Sequence, residues 1–155
     1  MRLRLTKRAD YAVRACMVLA TTPEVPLPSR CIAERMAIPE RFLPQILADL
    51  SRAAIVEGTV GKGGGYALRR TPDELTLLEI IESVEGPARS EQCVLEDRRC
   101  DEDHACALHP VWSAAQSAFI HVLEATTLAR IVAQPSRPTE VGTTVGPTAP
   151  ERIVA

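Results

Sequence analysis

Residues 93–110 read CVLEDRRCDEDHACALHP, with three cysteines and two histidines set among seven charged side chains. Cys93, Cys100 and Cys106 follow a C-x6-C-x5-C spacing, and His109 stands three residues beyond the last thiol. Three thiols in so polar a stretch have no apolar core to enter. Ligand bonds to a metal centre would order a segment that lacks hydrophobic contacts. Thiolates suit iron–sulfur clusters, zinc and copper(I). Structural zinc sites generally use C-x(2–4)-C pairs, which are missing here, whereas wider gaps can wrap a larger object. A metal-free thiol switch is the alternative: Arg98 and Arg99 beside Cys100 favour a thiolate, and the neighbouring acidic residues oppose it. A Cys–His hydrolytic pair has no visible oxyanion donors or orienting third group, so an enzyme is not expected. Cys16 and Cys31 have no partner at useful spacing and read as structural residues.

The scaffold around these thiols reads as helical. The chain of 155 residues is 46% hydrophobic and only 3% aromatic, so its core must be built from Leu, Ile, Val and Ala, as in helix-on-helix packing. Charge is divided: residues 1–70 carry 12 Lys/Arg against 6 Asp/Glu, and residues 71–155 carry 6 against 14. A basic first half suits phosphates, and the acidic second half a different task. No apolar run approaches a membrane span. Arg14 interrupts the one N-terminal stretch resembling a signal core. A cytoplasmic location is therefore expected, where cysteines point to metal or redox chemistry rather than a disulfide framework.

Thr6 predicts the cap of a first helix with Tyr11, Ala12, Ala15, Cys16, Val18 and Leu19 along one stripe. A short helix follows over SRCIAERM, with Ile32, Ala33 and Met36 inward. The next covers ERFLPQILADLSRA, with Phe42, Leu43, Ile46, Leu47 and Leu50 at helical spacing. Pro44 belongs in its first turn, which sets the expected start near Glu40 or Arg41. IVEGTV, GKGGG and YAL read as a β-hairpin with a glycine tip. GKGGG lacks the order of a phosphate-binding loop. Thr76 and Glu79 predict a capping box for a helix that ends at Gly86. Pro110 opens a long helix with Val111, Ala114, Ala115, Ala118, Phe119, Val122 and Leu123 as its seam, and a short helix is expected after Thr127.

This order is that of a winged helix-turn-helix, in which the second helix of the pair enters the major groove and the wing follows the backbone. Glu40, Arg41 and Gln45 are the exposed positions at the start of that helix; Arg pairs with guanine and Gln with adenine. Lys62 at the wing tip, with Arg30, Arg52, Arg69 and Arg70, would meet phosphates. The same charges could instead form a solvated face.

LTKRADYAVRACMVLA together with IAERMAIPERFLPQILADLSRAAIVEGTVGKGGGYAL resembles the Rrf-two family of bacterial regulators, whose iron–sulfur members include the IscR and NsrR types. The resemblance runs from about residue 3 to residue 132. It implies a dimeric regulator, expected to be a repressor, that binds a double-stranded DNA operator. The implied fold is mainly α: a winged helix-turn-helix with a two-stranded β wing, plus a cysteine-bearing loop and a long dimerisation helix. On this reading residues 1–86 form the DNA-binding domain, 87–109 the cluster-binding loop, 110–133 the dimerisation helix and 134–155 a disordered tail. Cluster-bearing members carry three cysteines in this place, which implies Cys93, Cys100 and Cys106 as ligands. The first gap is one residue longer here than in the IscR type. His109 falls where that type completes a [2Fe–2S] site. Asp10 falls where the NsrR type completes a [4Fe–4S] site from the partner subunit. His109, local to the same loop, is preferred, and with it [2Fe–2S]. Nitric oxide, oxidants or iron–sulfur status are the signals implied. Pro44 departs from relatives that carry a polar residue there, so base contacts do not transfer at that position.

Overall fold

The computed structural model describes residues 5–23, 25–88, 95 and 105–134. Along the chain run α1 (Lys7–Ala20), α2 (Ser29–Met36), α3 (Leu43–Arg52), β1 (Val56–Thr59), β2 (Gly65–Leu68), α4 (Leu77–Glu85), α5 (His109–Glu124) and α6 (Leu128–Val132). The fold is mainly helical with one two-stranded antiparallel sheet, as the sequence predicts.

α1 is the central element, packed against α2, α3, α4, α6 and β2. Thr6 caps it, accepting from the Ala9 N–H at 3.1 Å. Its buried face carries Ala9, Ala12, Ala15 and Cys16, small residues that let neighbouring helices approach closely. Burial pushes the Cys16 thiol up to about 12, so it stays neutral and unreactive in the core.

α2 matches the expected SRCIAERM segment and ends at Ala37 in the left-handed region (φ 51°). The N–H of Ile38 then reaches back to the carbonyl of Ala33 at 2.9 Å. α3 starts later than Glu40 or Arg41. Pro44 has no N–H to offer the Glu40 carbonyl, so an α-helical ladder cannot begin there. The chain instead makes a turn, Phe42 N–H to Pro39 and Leu43 N–H to Glu40, before the ladder opens at Leu43. Leu43, Ile46, Leu47 and Leu50 are buried as expected, while Phe42 remains exposed.

β1 and β2 pair from Val56 with Leu68 to Thr59 with Gly65. Gly61 (φ 112°) and Gly63 (φ 82°) make the turn. Leu27 forms a bridge with Tyr66 beside the hairpin, and a Cβ on Gly65 would lie 2.4 Å from the Leu27 carbonyl carbon. This close approach seats the wing against the helices.

α4 has the predicted capping box, with Thr76 and Glu79 each bonding the other's backbone N–H, and Gly86 (φ 86°) ends it. α5 follows the cysteine segment and buries none of its residues. α6 is capped by Thr127 and returns to the core: Leu128 is fully buried and its N–H bonds the Leu75 carbonyl at 2.8 Å. No helix among the described residues is long and apolar enough to cross a membrane.

Candidate nucleic-acid interface and cysteine centre

The start of α2, the turn leading into α3 and the first turn of α3 carry four of the predicted DNA contacts, divided between two clefts. Arg30 and Glu40 line one cleft with Ser29 and Pro44. Arg41 and Gln45 line a second, of about 310 Å³, with Lys7, Arg8, Tyr11 and Phe42. Exposed Phe42 is not stray core. Its ring lies 5.9 Å from that of Tyr11, and the Arg41 guanidinium sits over it at 4.8 Å. Such cation–π stacking steadies Arg41 while leaving its N–H donors at the rim. Lys62 is exposed on the wing turn, and Arg52 is exposed at the end of α3. Arg30 pairs with Glu34 one turn on at 3.0 Å, Arg69 lies 3.9 Å from Glu57, and Arg70 bonds Glu79 at 2.9 Å. Arg70 therefore braces the α4 capping box.

Behind this surface stands Asp49, whose importance the sequence reading missed. It is 2% exposed and the one buried charged side chain among the described residues. Arg8 of α1 and Arg52 both bond its carboxylate, and the Gln45 amide nitrogen donates to it at 3.0 Å. Burial alone would raise the Asp49 carboxyl. The hydrogen bonds from Arg8 and Gln45, with the charges of Arg8 and Arg52, outweigh it and hold the carboxyl below its ordinary range. The spacing of Gln45, Asp49 and Arg52 marks one helix face. Nothing local signals Arg8.

Of the proposed cluster ligands, Cys93 and Cys100 lie outside the described residues. Cys106 and His109 are both half-buried at the foot of α5, where the His109 N–H bonds the Cys106 carbonyl at 2.9 Å. Their side chains thus leave a single turn. Asp10, the alternative ligand, is bonded by the Arg14 Nε at 2.9 Å, and Arg14 also reaches the Met36 carbonyl. His121 is exposed on α5.

The start of the cysteine segment is tied to the helices. The Ala88 N–H bonds the Glu82 carboxylate at 2.8 Å, and the Gln116 amide of α5 donates to the Ala88 carbonyl at 3.4 Å. The Thr6 hydroxyl donates to Glu85 at the end of α4, 2.6 Å away. Along α5, Val111 (70%), Phe119 (47%) and Val122 (62%) remain exposed. Only Leu123 of the predicted seam packs on the core.

The family model described as "Rrf2: Iron-dependent Transcriptional regulator" matches residues 5–134. The HTH-type transcriptional repressor NsrR of Streptomyces coelicolor is 31% identical over 147 residues, covering 94% of this chain and 99% of that one. CymR, the global cysteine regulator of B. subtilis, is similar in structure with a TM-score of 0.71 at 28% identity, over 84% of this chain and 97% of its own. IscR of T. potens follows with a TM-score of 0.69 at 28% identity, over 87% and 93%.

Proposed function

The chain belongs to the Rrf2 family of DNA-binding transcriptional regulators, and from that membership we propose a homodimeric repressor whose hold on its operator depends on an iron–sulfur cluster. The observation that carries this reading is the shared turn of Cys106 and His109 at the foot of α5, a helix whose apolar face is uncovered. Three thiolates and an imidazole suit an iron–sulfur centre. Cys93, Cys100, Cys106 and His109 would hold it, and bonds of that kind are open to attack by nitric oxide and oxidants. The shared turn of His109 and Cys106 supports His109 as fourth ligand, and thereby [2Fe–2S].

The chain's own residues provide the readout. Arg41 and Gln45 meet base edges, with Glu40 beside them, while Arg30, Arg52 and Lys62 meet phosphates. Val111, Phe119 and Val122 pack against the same face of a second copy, burying an apolar stripe that one protomer leaves in water. The dimer then sets the separation of two α3 helices, and half-site spacing makes affinity sensitive to small shifts. From the end of α4, the Glu85–Thr6 bond leads to α1, and Arg8–Asp49 leads on to α3.

The test is an anaerobic absorption and circular dichroism spectrum with iron and sulfide assays, followed by operator binding before and after cluster removal. A coloured protein with matching iron and sulfide, binding operator more tightly when loaded, is expected. A colourless protein after anaerobic reconstitution would remove the cluster. Reversible disulfide formation that changes operator affinity would then favour a metal-free thiol switch.

A further inference from the structure

Asp49 is the one buried charge among the described residues. It lies on α3 beside Leu50, with the buried Ile46 and Leu47 in the preceding turn. An unpaired carboxylate there would be strongly unfavourable, and even a paired one is weak evidence of stabilisation. Its partners suggest a different purpose, since two of the three are the exposed Gln45 and Arg52, assigned above to the duplex.

We propose that Asp49 is a positioning residue for sequence reading: it orients Gln45 and Arg52 toward the duplex and anchors both to α1 through Arg8. The inference rests on the base-reading role of Gln45 proposed above. A carboxylate can only accept, so the Gln45 amide must turn its nitrogen toward Asp49. One N–H is then consumed at 3.0 Å. The amide oxygen and the second N–H remain, and this is the pair that matches N6–H and N7 of adenine. Arg52 likewise spends one of its five N–H donors on Asp49 and keeps the others for phosphate. Oδ1 holds Gln45 and Arg52, and Oδ2 holds Arg8. The two ends of one carboxylate thus join the reading surface to the helix that receives Glu85 of α4. A glutamine already held in its reading geometry loses less freedom on binding, and its register along the groove is set before contact.

Selection of duplexes from a randomised pool with the full-length protein identifies the position where adenine is preferred and where Gln45→Ala abolishes that preference. Asp49→Asn, nearly isosteric, should lower that preference by about tenfold, within the range set by one bidentate base contact. Affinity for unrelated duplex should hold or rise, because Arg8 and Arg52 lose a neutralising charge. In a Gln45→Ala background, Asp49→Asn should cause no further loss of base preference. A merely structural aspartate would lower affinity for all duplexes together, in both backgrounds, and that result overturns the proposal. Side-chain amide relaxation in the wild-type protein provides a measurement independent of any variant's folding. A Gln45 amide as ordered as the backbone supports the positioning role, and one as mobile as a free surface glutamine overturns it. Wild-type protein that selects no duplex, or a selected site with no position sensitive to Gln45→Ala, removes the base-reading premise itself. Selection with that sensitivity, unchanged by Asp49→Asn, removes only the role of Asp49.

Discussion

The hydroxyl of Thr6 donates to the carboxylate of Glu85 at 2.6 Å, joining the cap of α1 to the last residue of α4 across 79 positions of sequence. The same oxygen accepts from Ala9, so Thr6 both starts its helix and fastens it to the element preceding the cysteine segment. Thr6→Val should lower unfolding free energy by about 1 kcal/mol, the usual cost of a lost N-cap. Glu85→Ala keeps the cap and, being exposed, should cost under about 0.5 kcal/mol. It should nevertheless narrow the ratio of operator affinities between loaded and cluster-free protein. Urea denaturation and fluorescence anisotropy measure the two effects; an unchanged ratio would remove this bond from the route.

Cys106→Ala should abolish visible absorption while leaving far-ultraviolet circular dichroism intact. His109→Ala should alter the band shape or destabilise the cluster, and Asp10→Ala should do neither, since His109 shares the turn of Cys106. Spectra of the three variants, reconstituted side by side, decide the ligand set. Cluster loss on Asp10→Ala with an intact His109→Ala protein would transfer the fourth position to Asp10.

Lys62 lies exposed on the wing turn. Lys62→Ala should weaken all duplexes alike and reduce the slope of log affinity against log salt by about 1. Arg41→Ala should instead reduce discrimination at one base position by about 1–3 kcal/mol. Binding titrations across several salt concentrations separate these patterns.

Ala37 (φ 51°) and Ala54 (φ 56°) are non-glycine residues in the left-handed region, and both are exposed. Each ends a helix where glycine would avoid the Cβ–carbonyl clash. Ala37→Gly and Ala54→Gly should each raise stability by about 0.5–1 kcal/mol despite the added freedom of the unfolded chain. Thermal melts give the sign directly.

The carboxyls of Asp49 and Glu79 both titrate below their ordinary range. In Glu79 burial acts upward but is outweighed by the Thr76 N–H and hydroxyl and by Arg70. A depressed folded-state value means that the stabilisation is complete above the unfolded value, about pH 4, and is lost as pH falls through the folded one. Stability measured by denaturation should decline below about pH 4, with a shallower acid limb in Asp49→Asn. An identical acid limb in that variant would show that Asp49 contributes nothing to it.

The features legible in the sequence are mostly local. The Thr6 cap, the Thr76–Glu79 box, the glycine turn of the wing and the apolar stripes of α1, α2 and α4 depend on interactions three or four residues apart, or on alternation along a strand. Residue types suffice to read these. The helix-turn-helix and wing order followed from the same local signals; the family came from the resemblance of the segments around residues 5–20 and 32–68, not from periodicity. The start of α3 was misplaced although its cause, Pro44, was in view, because a missing N–H acts on the carbonyl four residues earlier. Other features arise only when the helices pack. Phe42 has the spacing of a core residue, yet docking of α1 against α3 leaves it outside, stacked on Tyr11. Leu128 enters the core because the chain returns after α5 to pair with Leu75. Asp49 meets Arg8 across 41 residues, and no local pattern encodes that meeting. It exists because packing carries two helix faces to one place, where a buried charge must find its donors.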